Sequence, residues 1–183
     1  MLNSYVDDWY NESAKRPEAK VVEKVISAFP FTLPPKDENL VGAGIEHLQK
    51  CDECRNAQQF FEGKARETIL GDERNYPHLV NAFDFFTPEA WHYYLPVFLI
   101  QDLIRHRHSF NHFWNYYRSG LIDEGWLRRI ELMDRPQCEA LIEYLQFHRP
   151  YAIEAGDIEE LNDTADWWQG IYQEKVTIAR KPV

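Results

Sequence analysis

Cysteine, uninterrupted apolar sequence and positive charge are all scarce in this chain, and each scarcity excludes a class of protein. There are three cysteines, an odd number with two only three residues apart, which does not fit the disulfide framework of a secreted domain. The longest nearly apolar run, 90–100, is too short to span a membrane and contains His92 and Pro96. The N-terminal residues include acids where a signal peptide carries bases. We therefore expect a cytoplasmic protein with no membrane partner.

The charge balance argues against nucleic acid as a partner. The chain carries 30 acidic residues against 20 lysines and arginines, a net charge of −10, whereas proteins that bind nucleic acid concentrate positive charge. The negative charge is compatible with solubility alone. It is also compatible with a basic protein partner, whose approach an acidic surface would steer.

Recognisable catalytic motifs are also missing. The sequence has no glycine-rich phosphate loop, no G-x-S-x-G turn and no H-E-x-x-H pair. Carboxylates are abundant, but their number alone does not indicate a catalytic pair. We therefore favour a function without catalysis.

The hydrophobic pattern is helical, and it is densest in the segment 87–104. Thr87 is expected to cap a helix whose first residue is Pro88, and the segment is apolar nearly all round, as in a helix surrounded by protein. Pro96 should kink this helix or divide it into two. The predicted fold is mainly α, with minor strand content. We expect one domain over 1–183, a bundle of about seven helices around this buried, proline-kinked helix.

Local signals place several other elements. Helices are predicted from Pro17 to Phe29, over 45–61 with a break near Cys51 and a stop at Gly63, over 126–132, and over 157–172. Asp134 and Gln137 form a weak capping box in front of a clear apolar stripe. The segment 70–77 is predicted as a loop, and 175–183 as a short strand or a loose tail.

The spacing of His47, Cys51 and Cys54 predicts a zinc site. On a helix, steps of four and three residues place these side chains on one face, and imidazole and thiolate are ligands that zinc prefers. A closed site would need a distant fourth ligand, for which His78 and Cys138 are the candidates.

The Cys51-x-x-Cys54 pair also has two other interpretations. A redox function is disfavoured because a helix-like segment precedes the pair, and because Asp52 and Glu53 would raise the thiol pKa. The alternative is that the cysteines stay reduced and contribute to packing.

Positive charge is concentrated at Arg105-His106-Arg107-His108, with His112 nearby. Such a cluster could bind a carboxylate or phosphate, or supply an acid–base group. We favour the simpler interpretation that these are cations at the C-terminus of a helix, where the helix dipole stabilises them. A small-molecule pocket beside Pro96, lined by Tyr93 or Tyr94, is a further hypothesis.

The segment 150–174 combines seven acidic residues with aromatic residues and has no lysine or arginine. Aromatic side chains inside an acidic rim are typical of a surface that anchors a basic protein. The alternative is an amphipathic helix whose tryptophans pack inward and whose acids are simply solvated. The predicted partner-binding residues are Asp157, Glu159, Glu160, Asp163, Asp166 and Trp167.

Two motifs resemble a family of uncharacterised bacterial proteins. The first is Cys51-Asp-Glu-Cys54 followed by Phe60-Phe61-Glu-Gly-Lys64, and the second is Phe86-Thr-Pro-Glu-Ala-Trp-His-Tyr-Tyr-Leu-Pro96. The likeness covers roughly 40–103, and its second motif is the more specific. It implies that the two segments share one domain and that the protein is bacterial and cytoplasmic. The family has no established activity, so the resemblance transfers no catalytic residue.

These observations lead to two competing hypotheses. The favoured one is a non-catalytic acidic protein-binding module, such as an inhibitor or immunity-type protein that covers a basic partner. The other is a zinc-binding protein, or a metal-dependent enzyme, that uses His47, Cys51 and Cys54.

Overall fold

The computed structural model describes residues 16–30, 35, 40–42, 49–70, 72–83, 85–105 and 124–179. Within these ranges there are nine α-helices and one short 3₁₀ helix, Glu73–Asn75. The α-helices are α1 Pro17–Ala28, α2 Asp52–Phe61, α3 Arg66–Leu70, α4 Tyr76–Ala82, α5 Pro88–Arg105, α6 Glu124–Leu132, α7 Arg135–Phe147, α8 Arg149–Ala155 and α9 Ile158–Ala179.

The mainly α class is confirmed. Over the ranges just given there is no β-strand, and β-type pairing is limited to one isolated antiparallel bridge between Val41 and Phe86. No helix among the described residues has the length and apolar character that a bilayer span requires.

The chain divides into two compact units. One contains 1–16 and 31–101, and the other contains 17–30 and 102–183, so the boundary falls between Gln101 and Asp102 within α5. The prediction of a single domain over 1–183 stays a prediction.

Helix α5 begins where its sequence predicted. The Ala90 amide donates to Thr87 Oγ1 at 3.2 Å, and the helix starts at Pro88. Pro96 does not divide it, since the helix is continuous to Arg105. Its side chains are buried nearly all round, including Trp91, Phe98 and other residues that are 0% exposed.

The first unit has an aromatic core built on α5. Phe98 stacks on Phe83 with ring centroids 4.6 Å apart, and Tyr94 stacks on Phe86 at 5.2 Å. Phe61, at the end of α2, contacts both Phe86 and Tyr94 edge-on or tilted at 5.0 Å. Large rings in offset or tilted contact bury much apolar area, which explains why this helix needs no polar face.

The second unit is built on α7, and its predicted capping box is present. Asp134 accepts from the Gln137 amide, and the Gln137 side chain accepts from the Asp134 amide, both at 2.9 Å. The predicted apolar stripe of α7 is buried, and the helix packs against α1 and α9. These buried residues are Cys138, Leu141, Ile142 and Leu145.

Two local predictions were wrong. The segment 70–77 is not a loop throughout, because Pro77 lies in the first turn of α4, where a missing N–H is tolerated. Residues 175–179 are neither strand nor tail, because α9 continues to Ala179. Residues 180–183 lie outside the described part of the chain. Local propensity is a weak guide at such positions, since packing elsewhere in the chain overrides it.

Candidate functional site

Cys51 and Cys54 occupy the first turn of α2. The helical path breaks at Cys51, as predicted, because this residue is the N-cap and has an extended backbone, φ −107° and ψ 108°. Cys54 follows at the third helical position. The Cys51 side chain is half-buried, whereas that of Cys54 is only 2% exposed. The pair therefore joins one accessible thiol to one buried thiol.

Cys51 and Glu53 influence the thiol of Cys54. Burial is the main reason that the pKa of Cys54 is raised to about 11, and Cys51 and Glu53 act in the same direction. The Cys51 side chain does not cap the helix. Serine, threonine, aspartate and asparagine are the usual N-cap residues, so this position carries a thiol where a capping oxygen is usual.

The predicted zinc set is only partly described. His47 lies outside the described residues, so the three-ligand set stays a prediction. His78 is exposed and stacks on Phe60, with ring centroids 4.1 Å apart. Cys138 belongs to the second unit, where burial raises its pKa to about 11. Among the residues that the structure describes, no three His, Cys, Asp or Glu side chains form a group that could hold a metal ion.

The predicted partner-binding residues lie on and just before α9. Within this helix, Leu161, Thr164 and Trp168 are buried. Glu159 and Asp163 are exposed one turn apart, and the exposed positions continue along the same side of the helix. These are Glu159, Asp163, Asp166, Gly170, Gln173 and Glu174.

The other predicted residues flank this exposed stripe. Asp157 is exposed just before the helix begins, and Glu160 is half-buried at one side. Trp167 is half-buried, and its ring contacts that of Trp168 at 5.1 Å in a T-shaped arrangement. The prediction that tryptophans pack inward therefore fits Trp168, whereas Trp167 keeps part of its surface accessible.

Helix α9 is held by polar contacts as well as by burial. Tyr172 donates to Glu139 Oε1 at 2.7 Å and accepts from Arg135 Nε at 3.1 Å. These bonds lower the pKa of the Glu139 carboxyl, chiefly through Tyr172, with Lys24 and Arg135 adding to the effect. The acidic face thus lies on a helix that α7 fixes in place.

The predicted basic cluster is not described. His106, Arg107, His108 and His112 lie outside the described residues. Their position relative to a helix end and their role stay predictions.

The tyrosines proposed for a pocket beside Pro96 bind the chain itself. Tyr94 donates to the Lys64 carbonyl at 2.7 Å, and the Arg66 amide donates to the Tyr93 hydroxyl at 3.1 Å. Burial is the main reason that the pKa of Tyr93 is raised. Both hydroxyls therefore hold the link between α2 and α3.

Sequence reasoning missed the buried polar residues of α5. Gln101 is fully buried and donates to the Ile69 and Leu70 carbonyls at 2.9 and 3.3 Å. These carbonyls lie at the C-terminal end of α3, where helical partners are missing. A glutamine inside an otherwise apolar helix was the available signal.

The next residue, Asp102, lies in a buried polar group of the second unit. Its Oδ2 atom accepts from the Tyr144 hydroxyl at 2.8 Å and lies 3.2 Å from His148 Nε2. The histidine contact has ion-pair distance without hydrogen-bond alignment. All three residues are 0% exposed, so the group is a structural feature of the core.

No protein-family model, curated protein or solved structure matches this chain significantly.

Proposed function

We propose that this protein is a non-catalytic binding module that holds a basic protein partner against the exposed face of α9. The observation that carries the proposal is the arrangement of Glu159, Asp163 and Asp166 on one exposed side of a helix, with Trp167 half-buried beside them. This arrangement places an aromatic anchor next to a row of negative charge, which is the composition of many interface centres and rims.

The local charges favour this face over a merely solvated one. Glu159, Asp163 and Asp166 form no ion pair with another described residue, and 150–174 contains no lysine or arginine. An inhibitor or immunity-type role follows naturally, because such a protein functions by covering a basic surface.

The two parts of the surface should contribute differently to affinity. Exposed ion pairs are worth only about 0–1 kcal/mol each, and their main effect is on the association rate and its salt dependence. A tryptophan that becomes fully buried in the complex can contribute about 2 kcal/mol or more. Trp167 should therefore set the lifetime of the complex, and the acids should set the speed and orientation of binding.

The test is affinity capture from cell extract at low salt, followed by titration calorimetry with the protein that is captured. Asp163→Asn combined with Asp166→Asn should reduce the association rate and flatten its dependence on salt. Trp167→Ala should weaken the equilibrium affinity by at least about tenfold, chiefly through faster dissociation.

A matched control removes the same charge from the other unit. Glu62 and Glu89 are exposed, and Glu62→Gln combined with Glu89→Gln should leave binding unchanged. Equal weakening by both charge-removing pairs would show that only net charge matters and would contradict a docking face on α9. Binding that is insensitive to Trp167→Ala would contradict the anchor.

Zinc binding is the second candidate, and one observation favours it: two of its three predicted ligands, Cys51 and Cys54, lie in the first turn of α2. A structural zinc ion contributes folding free energy directly. Purified protein should then contain one equivalent of zinc and melt at a lower temperature after Cys51→Ser. Metal content far below one equivalent would remove this candidate.

A further inference from the structure

The thiol pair at the start of α2 has a feature that neither protein binding nor packing requires. Cys51 is half-buried at the N-cap, and Cys54 is buried one turn later. A pair of cysteines that served packing alone would have both side chains in the core. Here one cysteine is half-buried, and the other, three residues later, is buried.

The backbone at Cys51 allows the two sulfurs to approach. Residues three apart inside a helix have Cβ atoms about 5–6 Å apart, whereas a disulfide needs a Cβ separation of about 3.5–4.5 Å. Cys51 has extended rather than helical torsion angles, so its Cβ is not confined to helical spacing.

We infer that Cys51 and Cys54 form a reversible thiol–disulfide exchange site, in which Cys51 is the attacking thiol and Cys54 is the resolving thiol. The co-substrates are low-molecular-weight disulfides such as oxidised glutathione. This site is independent of the acidic face on α9. It needs only the two sulfurs, and both are present in one helical turn.

The reaction balances as two successive exchanges. The Cys51 sulfur, as its thiolate, attacks one sulfur of the small disulfide, which breaks the S–S bond and releases one thiol that takes up the Cys51 proton. The Cys54 sulfur then attacks the Cys51 sulfur of the mixed disulfide and releases the second thiol, which takes up the Cys54 proton. The protein dithiol loses two electrons and two protons, and the small disulfide gains them as two thiols.

Position decides the order of the two steps. Cys51 is half-buried and Cys54 is only 2% exposed, so Cys51 meets the external disulfide first. Cys54 is shielded from direct attack, but it lies beside Cys51 and so is placed to displace the leaving thiol. Cys138, which is 0% exposed and far along the sequence in α7, should take no part.

The test equilibrates the full-length protein with mixtures of reduced and oxidised glutathione and analyses the peptide that contains residues 51–54 by mass spectrometry. The expected product is an internal disulfide, seen as the loss of two hydrogen masses, which dithiothreitol reverses. Cys54→Ser should instead accumulate glutathione on Cys51. Cys51→Ser should leave Cys54 unmodified, and Cys138→Ser should behave as the unaltered protein does.

Several results would overturn the inference. One is an unaltered protein that stays reduced at every glutathione ratio, and another is one that retains a glutathione adduct on Cys51 without closing the bridge. A third is protein that holds one equivalent of zinc and becomes oxidisable only after a chelator removes it, since the pair would then be a metal site. These readings use the unaltered protein, so a serine variant that fails to fold does not affect them.

Discussion

Gln101 and Asp102 are consecutive residues of α5, both are fully buried, and they contact different kinds of group in the two compact units. In the first unit, Gln101 donates to two backbone carbonyls at the end of α3. In the second unit, Asp102 accepts from the Tyr144 hydroxyl and faces His148. In the first unit a neutral side chain therefore donates to the free carbonyls at a helix end. In the second unit an ionisable side chain is surrounded by other side chains.

The difference has an energetic consequence. Each neutral hydrogen bond contributes about 0.5–1.5 kcal/mol to the free energy of unfolding. Removing the hydrogen-bond partner of a buried group destabilises the fold more when that group is charged. The first unit places its stability in aromatic burial and uses polar groups to complete its helix ends. The second unit contains a polar group whose members depend on one another. Four experiments can break or sharpen this comparison.

The largest effect is expected in the aromatic core of the first unit. Phe98→Ala removes a ring that is 0% exposed and stacks on Phe83, and it should lower the free energy of unfolding by about 3–5 kcal/mol. Urea denaturation followed by circular dichroism measures this. Leu127→Ala is the control, since Leu127 is 53% exposed and should change stability by less than about 0.5 kcal/mol. If Phe98→Ala lowered the free energy of unfolding by less than the tyrosine substitutions described next, the comparison would fail.

A pair of tyrosine substitutions compares the polar arrangements directly. Tyr144→Phe removes a hydroxyl that donates to the buried, ionisable Asp102 side chain and should cost about 1–3 kcal/mol, whereas Tyr94→Phe removes a hydrogen bond to the neutral Lys64 carbonyl and should cost about 0.5–1.5 kcal/mol. Both changes delete one oxygen from a buried ring, so apolar burial is matched. Denaturant midpoints of the two variants give the difference, and equal losses would show that the two units do not differ in this respect.

The helix caps give a smaller contrast. Asp134→Ala removes the side chain that accepts from the Gln137 amide, and Thr87→Ala removes the hydroxyl that accepts from the Ala90 amide. Each loss should cost about 0.5–2 kcal/mol. The Asp134 variant should lie nearer the upper end, because the reciprocal capping box loses its fixed geometry. Thermal melting of the two variants side by side tests this order, and Thr87→Ser should restore most of the stability lost with alanine.

The smallest effect concerns acid stability in the second unit. The pKa of Glu139 is lowered from the ordinary value of 4.5, mainly by the Tyr172 hydroxyl, so the folded state favours the carboxylate. Its contribution is complete above the unfolded pKa and is lost as the pH falls through the lower folded pKa. Tyr172→Phe should therefore reduce the loss of stability on acidification. Urea midpoints at about pH 6 and about pH 3 measure it, and an unchanged pH dependence would exclude the Tyr172–Glu139 bond as its source.

Part of the candidate site could be predicted from the sequence, and part could not. The break at Cys51 and the stop at Gly63 were predicted, and Gly63 has the left-handed φ of 67° that glycine adopts without strain. The sequence could not say which thiol is accessible, because exposure depends on residues far along the chain. It placed the acids and Trp167 on the partner-binding side of the last helix, where Trp167 is half-buried and Trp168 is buried.

The sequence by itself determined the helical class, the start of α5 at Thr87-Pro88 and the capping box of α7. These signals act within one helical turn, through torsion angles and hydrogen bonds that neighbouring residues fix. Only the tertiary structure decided where Tyr93 and Tyr94 place their hydroxyls, and which groups Gln101 and Asp102 contact inside the core. Their partners lie between 27 and 46 residues away along the chain, and no local preference can specify a contact over that distance.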